Sequence, residues 1–231
     1  MPVGRERSQA RKVMAILPAP RRDGGTGRRG GLKIRCPYKA CGFDSLSRHH
    51  LQLMNFCSNC GSRVVLKVPE DDFLPRHVCE NCGTIHYLNP KIVVGSVPEY
   101  QGRILICKRG IEPRLGFWAV PGGFMENGET LEEGAAREAR EEALIEVEIG
   151  SLLALANVRH AHQVHVFFRA RMRDAQFGVT HESLEVRLVT EAEIPWDELA
   201  FPSTEFALRS FVEDRAAGVE RHHVAEMQRR F

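Results

Sequence analysis

The chain has 231 residues, enough for one large or two small domains, and 43% of them are apolar, ample for a buried core. No run approaches the roughly 18 apolar residues of a membrane-spanning helix, which argues against a helical membrane protein. The formal charge of +2 divides sharply: residues 1–53 carry 12 Lys/Arg against 3 Asp/Glu, net +9, and the remainder carries 20 against 27, net −7.

Residues 1–53 are rich in Arg and Gly, with GGTGRRGG at 24–31, and show no sustained helical or strand period. They predict a disordered basic extension. The apolar patch at 13–17 is too short for a secretory signal. Arg richness with few acids leaves a transit peptide open, and a basic arm would also suit RNA phosphates. The favoured reading is plainer: Met54 stands just ahead of the first closely spaced Cys pair of the next segment, so the start is expected there and residues 1–53 are read as a gene-model extension. Cys36 and Cys41, spaced C-x4-C without a second pair nearby, read as incidental.

Residues 54–88 predict a small metal module. Cys57, Cys60, Cys79 and Cys82 form C-x2-C-x18-C-x2-C, the spacing of a four-thiolate zinc ribbon. Each pair is followed by Gly (Gly61, Gly83), which frees the backbone to turn around an ion. Nothing marks a secreted chain, so thiols bound to structural Zn²⁺ are preferred to disulfides. Four thiolates fill a tetrahedral ion and leave no open position for catalysis.

From Pro90 the pattern turns to strands. Residues 91–97 (KIVVGSV) and 103–108 (RILICK) flank Gln101-Gly102 and predict a hairpin. Cys107, beside Ile106, reads as a small buried hydrophobe. A short strand at 117–120 delivers Pro121-Gly122-Gly123; Trp118 within it is a candidate wall for a planar base, with core packing the equal alternative.

Thr130 and Glu133 stand in the S/T-x-x-E relation that caps a helix start, so a helix is expected from about Thr130. At about 100° per residue, Glu138, Glu141 and Glu142 share one arc of roughly 100°, and Ala135, Ala136, Ala139 and Ala143 share the next. Carboxylates three and four apart repel, a cost that a shared cation would reverse. Hard oxygen ligands point to Mg²⁺ or Mn²⁺, and the alanines would let the helix lie close on a sheet. A solvated surface helix is the plain alternative.

After the helix, residues 146–149, 152–157 and 163–172 read as strands. His160, His162 and His165 do not share a strand face, so contact with substrate is favoured over a His metal site. Residues 182–187 (ESLEVR) lead into a strand at 188–189, and one of its acids is expected to complete the site from outside the helix, Glu185 in preference to Glu182. Ser203 or Thr204 is expected to cap a last helix that runs to about Ala216 and stops at Gly218, followed by a solvated tail over 217–231.

The spacing Gly123, five residues, Glu129, seven residues, Arg137-Glu138, Ala139, one residue, Glu141-Glu142 resembles the Nudix box, with Leu144 in the place of its last Gly. The segments FCSNCG, CENCG, YLNPKIVVG, ILICKRGIEP, ESLEVR and IPWDELAF over residues 56–215 extend the resemblance to zinc-ribbon Nudix hydrolases, the NADH pyrophosphatases and more closely the plant FAD pyrophosphatase type. The SQPWPFP-like array of the NADH branch is absent, as are a CoA-type motif and the downstream proline of ADP-ribose hydrolases, where Ala161 stands. The resemblance implies an α+β chain: a Nudix α/β/α sandwich with mixed sheet over 89–216, behind the ribbon and the N-terminal extension. It implies Mg²⁺- or Mn²⁺-dependent hydrolysis of a pyrophosphate bond, with FAD, cleaved to FMN and AMP, as the favoured substrate. Glu138, Glu141 and Glu142, with the carbonyl of Gly122, would hold the cations; Arg137 and Glu129 would orient them; Trp118, Gly123 and Glu185 would meet substrate. NADH or ADP-ribose hydrolysis, removal of a dinucleotide cap from RNA, and a non-catalytic ligand sensor stay open. A cytoplasmic location and a homodimer are expected.

Overall fold

The computed structural model describes residues 54–228. The expectations for residues 1–53, Cys36 and Cys41 among them, lie outside the described residues. No described helix is long and apolar enough to cross a membrane.

The ribbon is a three-stranded antiparallel sheet of β1 (Val64–Lys67), β2 (Arg76–Cys79) and β3 (Ile85–His86). Its two Cys loops close alike: the N–H groups of Gly61 and Gly83 donate to the carbonyls of Cys57 and Cys79, each at 2.9 Å. Both glycines sit at positive φ, 73° and 72°, where a side chain would be strained.

The predicted hairpin forms from β4 (Lys91–Tyr100) and β5 (Arg103–Arg109), turning at Gln101 and Gly102 with φ of 49° and 79°. Only Glu99↔Ile104 and Tyr100↔Arg103 are paired, however. Beyond them the strands part, because β6 (Trp118–Ala119) lies against β5 and β7 (Gly122–Phe124) against β4. This wedge inserts the Pro-Gly-Gly segment into the sheet itself. Glycine makes the insertion possible: a Cβ on Gly95 would lie 2.7 Å from the Pro121 carbonyl, and one on Gly122 would lie 2.8 Å from that of Val94.

The chain continues through α1 (Leu131–Ala143), β8 (Val147–Val158), β9 (Gln163–Met172), β10 (Ser183–Val189), α2 (Pro202–Ala217) and β11 (His223–Glu226). The main path runs β10-β5-β4-β9-β8-β11, with β4/β9 and β8/β11 parallel and the other neighbours antiparallel, a mixed sheet as expected. One face packs Leu105, Val147 and Val186 against Ala139 and Ala143 of α1. The other packs Ile104, Ile106, Leu153 and Phe167 against Leu208 and Phe211 of α2. The result is the α/β/α sandwich.

Three local expectations change. The segments at 146–149 and 152–157 are one strand, β8, whose register shifts around Leu152 interrupt the alternation that a sequence reading follows. The α2 cap is Phe201, with Pro202 in the first turn; Ser203 and Thr204 are buried inside the helix rather than capping it. The tail is not wholly solvated. Gly218 ends α2 at φ 65°, but residues 223–226 then pair with β8. Asp214 secures them: its Oδ2 accepts from the Arg221 N–H at 3.0 Å and contacts His223 Nε2 at 3.1 Å, and it is ion-paired with Arg169. A four-residue edge strand is too short to show a period, and its anchor lies elsewhere in the sequence.

At the end of α1, Leu144 adopts the left-handed conformation (φ 56°, ψ 34°) that glycine would take without cost, and its N–H still closes on the Arg140 carbonyl at 3.0 Å. The helix therefore stops where a glycine would stop it. Left-handed strain of about 1–2 kcal/mol exceeds the entropy cost of glycine, about 0.5–1 kcal/mol. Leu144→Gly is expected to raise thermal stability by a small margin; a lower Tm would show that the contact of the leucine with Gly178 outweighs the strain.

Candidate active site

The site begins at the helix cap. Thr130 Oγ1 accepts from the Glu133 N–H at 3.1 Å, while Glu133 Oε2 accepts from the Thr130 N–H at 2.8 Å, the reciprocal pair predicted for this start. With the rotation so set, Ala135, Ala139 and Ala143 lie fully buried on the sheet. The adjoining arc brings Glu138 and Glu142 to the edge of the core, each 7% exposed, with Glu141 further out.

Backbone without side chains lets these carboxylates approach the inserted loop. A Cβ on Gly123 would fall 2.5 Å from Glu138 Oε1, and one on Gly134 would fall 2.6 Å from Glu129 Oε1. The Gly122 N–H donates to Glu142 Oε2 at 3.1 Å.

Arg137 ties the acids together. Its Nε and Nη2 form a fork on Glu129 at 3.0 and 2.9 Å, and Nη1 donates to Glu138 at 2.7 Å and Glu141 at 2.8 Å. Nη2 also donates to the Phe124 carbonyl at 3.0 Å, fixing the guanidinium to the loop. Hydrogen bonding to Arg137 holds the Glu129 carboxyl down at about 2. Glu142 lacks such a partner. Burial, reinforced by the charges of Glu138 and Glu182, pushes it up to about 8, and burial likewise raises Glu138 against the pull of Arg137. Two partly desolvated carboxylates without enough positive charge are a donor set that fits divalent cations.

Glu182 is the outside acid that this geometry brings in. Its charge acts on both Glu138 and Glu142, and its carbonyl accepts from the Gly110 N–H at 2.6 Å, pinning the start of β10 beside β5. Glu185, preferred in the sequence reading, is placed elsewhere. It pairs in register with Lys108, on the sheet face that carries Ile104 and Ile106 toward α2, and it binds Arg187 at 2.5 Å. A bulge between Ser183 and Glu185 separates the two acids.

Trp118 is 2% exposed, packed in the α2-side core with Arg187 over its ring at 4.9 Å, so core packing holds and it presents no wall to a base. His165 is buried between Ser203 Oγ (2.9 Å) and Gln163 Oε1 (2.8 Å), and burial lowers it to about 4, a neutral structural role. Cys107 is buried and its thiol pushed up by desolvation, consistent with a core position.

In the ribbon, the four Sγ atoms of Cys57, Cys60, Cys79 and Cys82 lie within 4.8 Å of one another. Closest approaches are 3.4 Å for Cys60–Cys79 and 3.6 Å for Cys57–Cys82. Tetrahedral Zn–S bonds of about 2.3 Å need sulfurs about 3.8 Å apart, so the set fits one Zn²⁺. Amide groups support it: the Asn59 N–H donates to Cys57 Sγ at 3.4 Å and Asn81 Nδ2 to Cys60 Sγ at 3.6 Å, bonds that thiolates accept.

Comparison with known proteins agrees with both modules. Residues 55–88 match the Nudix N-terminal zinc-ribbon model and residues 90–212 match the NUDIX domain model. The chain belongs to the Nudix family. A crystal structure of a NUDIX hydrolase from Nitrosomonas europaea superposes with a TM-score of 0.72 at 47% identity, covering 75% of this chain and all of that one. An ADP-ribose pyrophosphatase of Methanocaldococcus jannaschii is 42% identical over 69 residues, 30% of this chain and 41% of that protein. An NAD-capped RNA hydrolase NudC of Photobacterium profundum is 39% identical over 101 residues, 43% of this chain and 35% of that protein. The chain thus spans less than half the length of these curated relatives.

The Nudix box carries its own geometry in the sequence, but Gly95 and Gly134 are not singled out there, and Glu182 stands there only as the second choice to Glu185. Gly134 sits in a helix, where glycine is normally a cost of about 1 kcal/mol, and that anomaly was a usable signal. Nothing in the sequence announces the β10 bulge.

Two outcomes follow for this Nudix site and its ribbon. The raised Glu142 carboxyl favours the folded state while protonated, so its contribution is full below about 4.5 and is lost as pH rises through about 8. Melting in EDTA should therefore show stability falling between these pH values, a fall that Glu142→Gln removes; an equal fall in the variant would contradict it. For the ribbon, elemental analysis should find one zinc per chain, and Cys79→Ser should lose it and unfold residues 55–88 to proteolysis.

Proposed function

We propose that this Nudix protein is a divalent-cation-dependent pyrophosphatase that hydrolyses the phosphoanhydride of a dinucleotide, with FAD, yielding FMN and AMP, favoured. The observation that carries the reading is the buried Glu138–Glu142 pair held beside the Gly122-Gly123 turn with less positive charge than it needs. Glu138, Glu141 and Glu142, with the Gly122 carbonyl, are the proposed ligands. Cations so held supply neutralisation of the pyrophosphate oxygens and a lowered pKa for water.

The chain's own residues account for the rest. Arg137 keeps Glu138 and Glu141 aligned, and Glu129 keeps Arg137 aligned through its fork. Gly123 clears the space into which Glu138 projects. In the reaction the water oxygen bonds to phosphorus, the bridging P–O bond breaks, and the bridging oxygen leaves with the second phosphate. The water proton passes to a carboxylate, for which Glu182 is preferred because it faces the acid pair without an arginine fork of its own. Zn²⁺ in the ribbon has a structural role in this reading. The preference for FAD is supported by the sequence segments shared with the plant type; ADP-ribose is the second reading, supported by the name of the M. jannaschii relative.

Hydrolysis of FAD, NADH and ADP-ribose should be compared in Mg²⁺ and Mn²⁺ with product analysis, and AMP plus FMN from the first is expected at the highest kcat/KM. Glu142→Gln should lose activity by about 100-fold or more with the fold retained. Undiminished cation-dependent turnover in that variant would remove Glu142 from the site and the reading with it.

A further inference from the structure

Around the end of the sheet where β5 and β6 meet the start of α2, beside the cleft but outside the acidic set, four cations stand over aromatic rings. Lys108 Nζ and the Arg187 guanidinium lie 5.6 and 4.9 Å from the centre of the Trp118 ring. Arg109 lies 5.0 Å from that of Phe201, and Arg114 3.9 Å from that of Phe117. Backbone bonds knit the platform: the Ala200 N–H donates to the Trp118 carbonyl at 2.8 Å, and Arg114 Nε to the Ala200 carbonyl at 3.1 Å.

The charge of this cluster is largely uncompensated. Among the described residues only Arg187 has a carboxylate partner, Glu185. Lys108, Arg109 and Arg114 take part in none of the ion pairs, and the three N–H groups of Lys108 donate to no protein oxygen within hydrogen-bond distance. This occurs in the part of the chain, residues 54–231, that is net −7, so the patch stands out against its surroundings. Packing against the rings restrains the cations and leaves much of their donor capacity outward. The cluster is also tied to the cleft: the residue after Arg109 donates to the Glu182 carbonyl, Trp118 leads through Ala119–Pro121 into the Gly122 that binds Glu142, and Arg109 lowers the proton affinity of that same carboxylate.

We infer that this cation–aromatic cluster binds an additional phosphate group of the substrate, one attached to the nucleotide outside the pyrophosphate that is cleaved. The inference rests on the pyrophosphatase reading for its substrate. Two sources share the chemistry: the first phosphodiesters of an RNA chain that continues from the dinucleotide, and a phosphate monoester on a ribose of a free dinucleotide. Neither increases contacts at the acid pair, so both should act through affinity rather than chemistry.

The test uses the full chain, Lys108→Gln and Arg114→Gln, with Lys108→Arg as the conservative control. Substrates are NAD, NAD bearing a ribose 2′-phosphate, and a short RNA with NAD at its 5′ end. The glutamine variants should raise KM several-fold for whichever phosphate-bearing substrate the cluster serves, leaving kcat and NAD hydrolysis unchanged, and Lys108→Arg should retain the wild-type value. Anisotropy of a labelled 5′-phosphorylated RNA gives a second readout independent of turnover: for an RNA contact, the slope of log affinity against log salt should fall by about 0.7 per removed contact. A rise confined to the capped RNA identifies the chain; a rise confined to the 2′-phosphate identifies the monoester. Equal losses on all three substrates, or no change in KM and no change in salt slope, would overturn the inference. Wild-type protein that hydrolyses none of the three, nor FAD or ADP-ribose, yet loses RNA affinity in the variants would instead overturn the pyrophosphatase reading and leave the phosphate site standing.

Discussion

Glu138 and Glu142 repel one another, and much of this fold is arranged to keep them together. Their helix is set down on alanines, its start is locked by the Thr130–Glu133 pair, and one arginine spans three of the neighbouring acids. The loop they face is not a surface loop draped over a sheet. It is sheet, because β6 and β7 enter between β4 and β5, and so the Gly122 N–H that meets Glu142 is held by strand pairing on the same residue. Rigid backbone on one side and a rigid helix on the other leave the carboxylates little room to relax apart.

The legibility of this arrangement in the sequence follows from how local each piece is. The capping box, the acidic arc and the alanine arc all lie within 14 residues, from Thr130 to Ala143, so helical geometry alone assembles them. The four cysteines are legible for a related reason, because coordination constrains their spacing whatever surrounds them. What crosses between distant strands was not legible. Glu182 reaches the site only through the pairing of β10 with β5, and which face of β10 looks toward α1, the face of Val186, is decided by that tertiary packing. The base-wall reading of Trp118 failed for the same reason: its neighbours Arg187, Leu199 and Ile106 are brought in by tertiary contact.

Leu144 and Asp214 show how the chain tolerates departures from local preference. A leucine in left-handed backbone ends α1 where glycine would, because the loop beyond it is held: the Gly178 N–H donates to the Ala143 carbonyl at 2.8 Å. Asp214 is 1% exposed inside α2 and stays ionised, since the Arg221 N–H, His223 and Arg169 outweigh its desolvation and hold its carboxyl below the ordinary value. That buried charge anchors a four-residue strand with little apolar area of its own, through the Arg221 N–H and His223.

The two faces of the sheet thereby acquire opposite electrostatic character at the same end. On the α1 face Glu142 has no ion-pair partner among the described residues and feels only the more distant charge of Arg109; on the α2 face Lys108 and Arg114 likewise form no ion pair. Strands β5 and β6, paired at Cys107↔Ala119 and Lys108↔Trp118, lie between Lys108 and the acid pair. On the proposed reading, the anhydride of the substrate would lie on the acidic side and a further phosphate on the basic side.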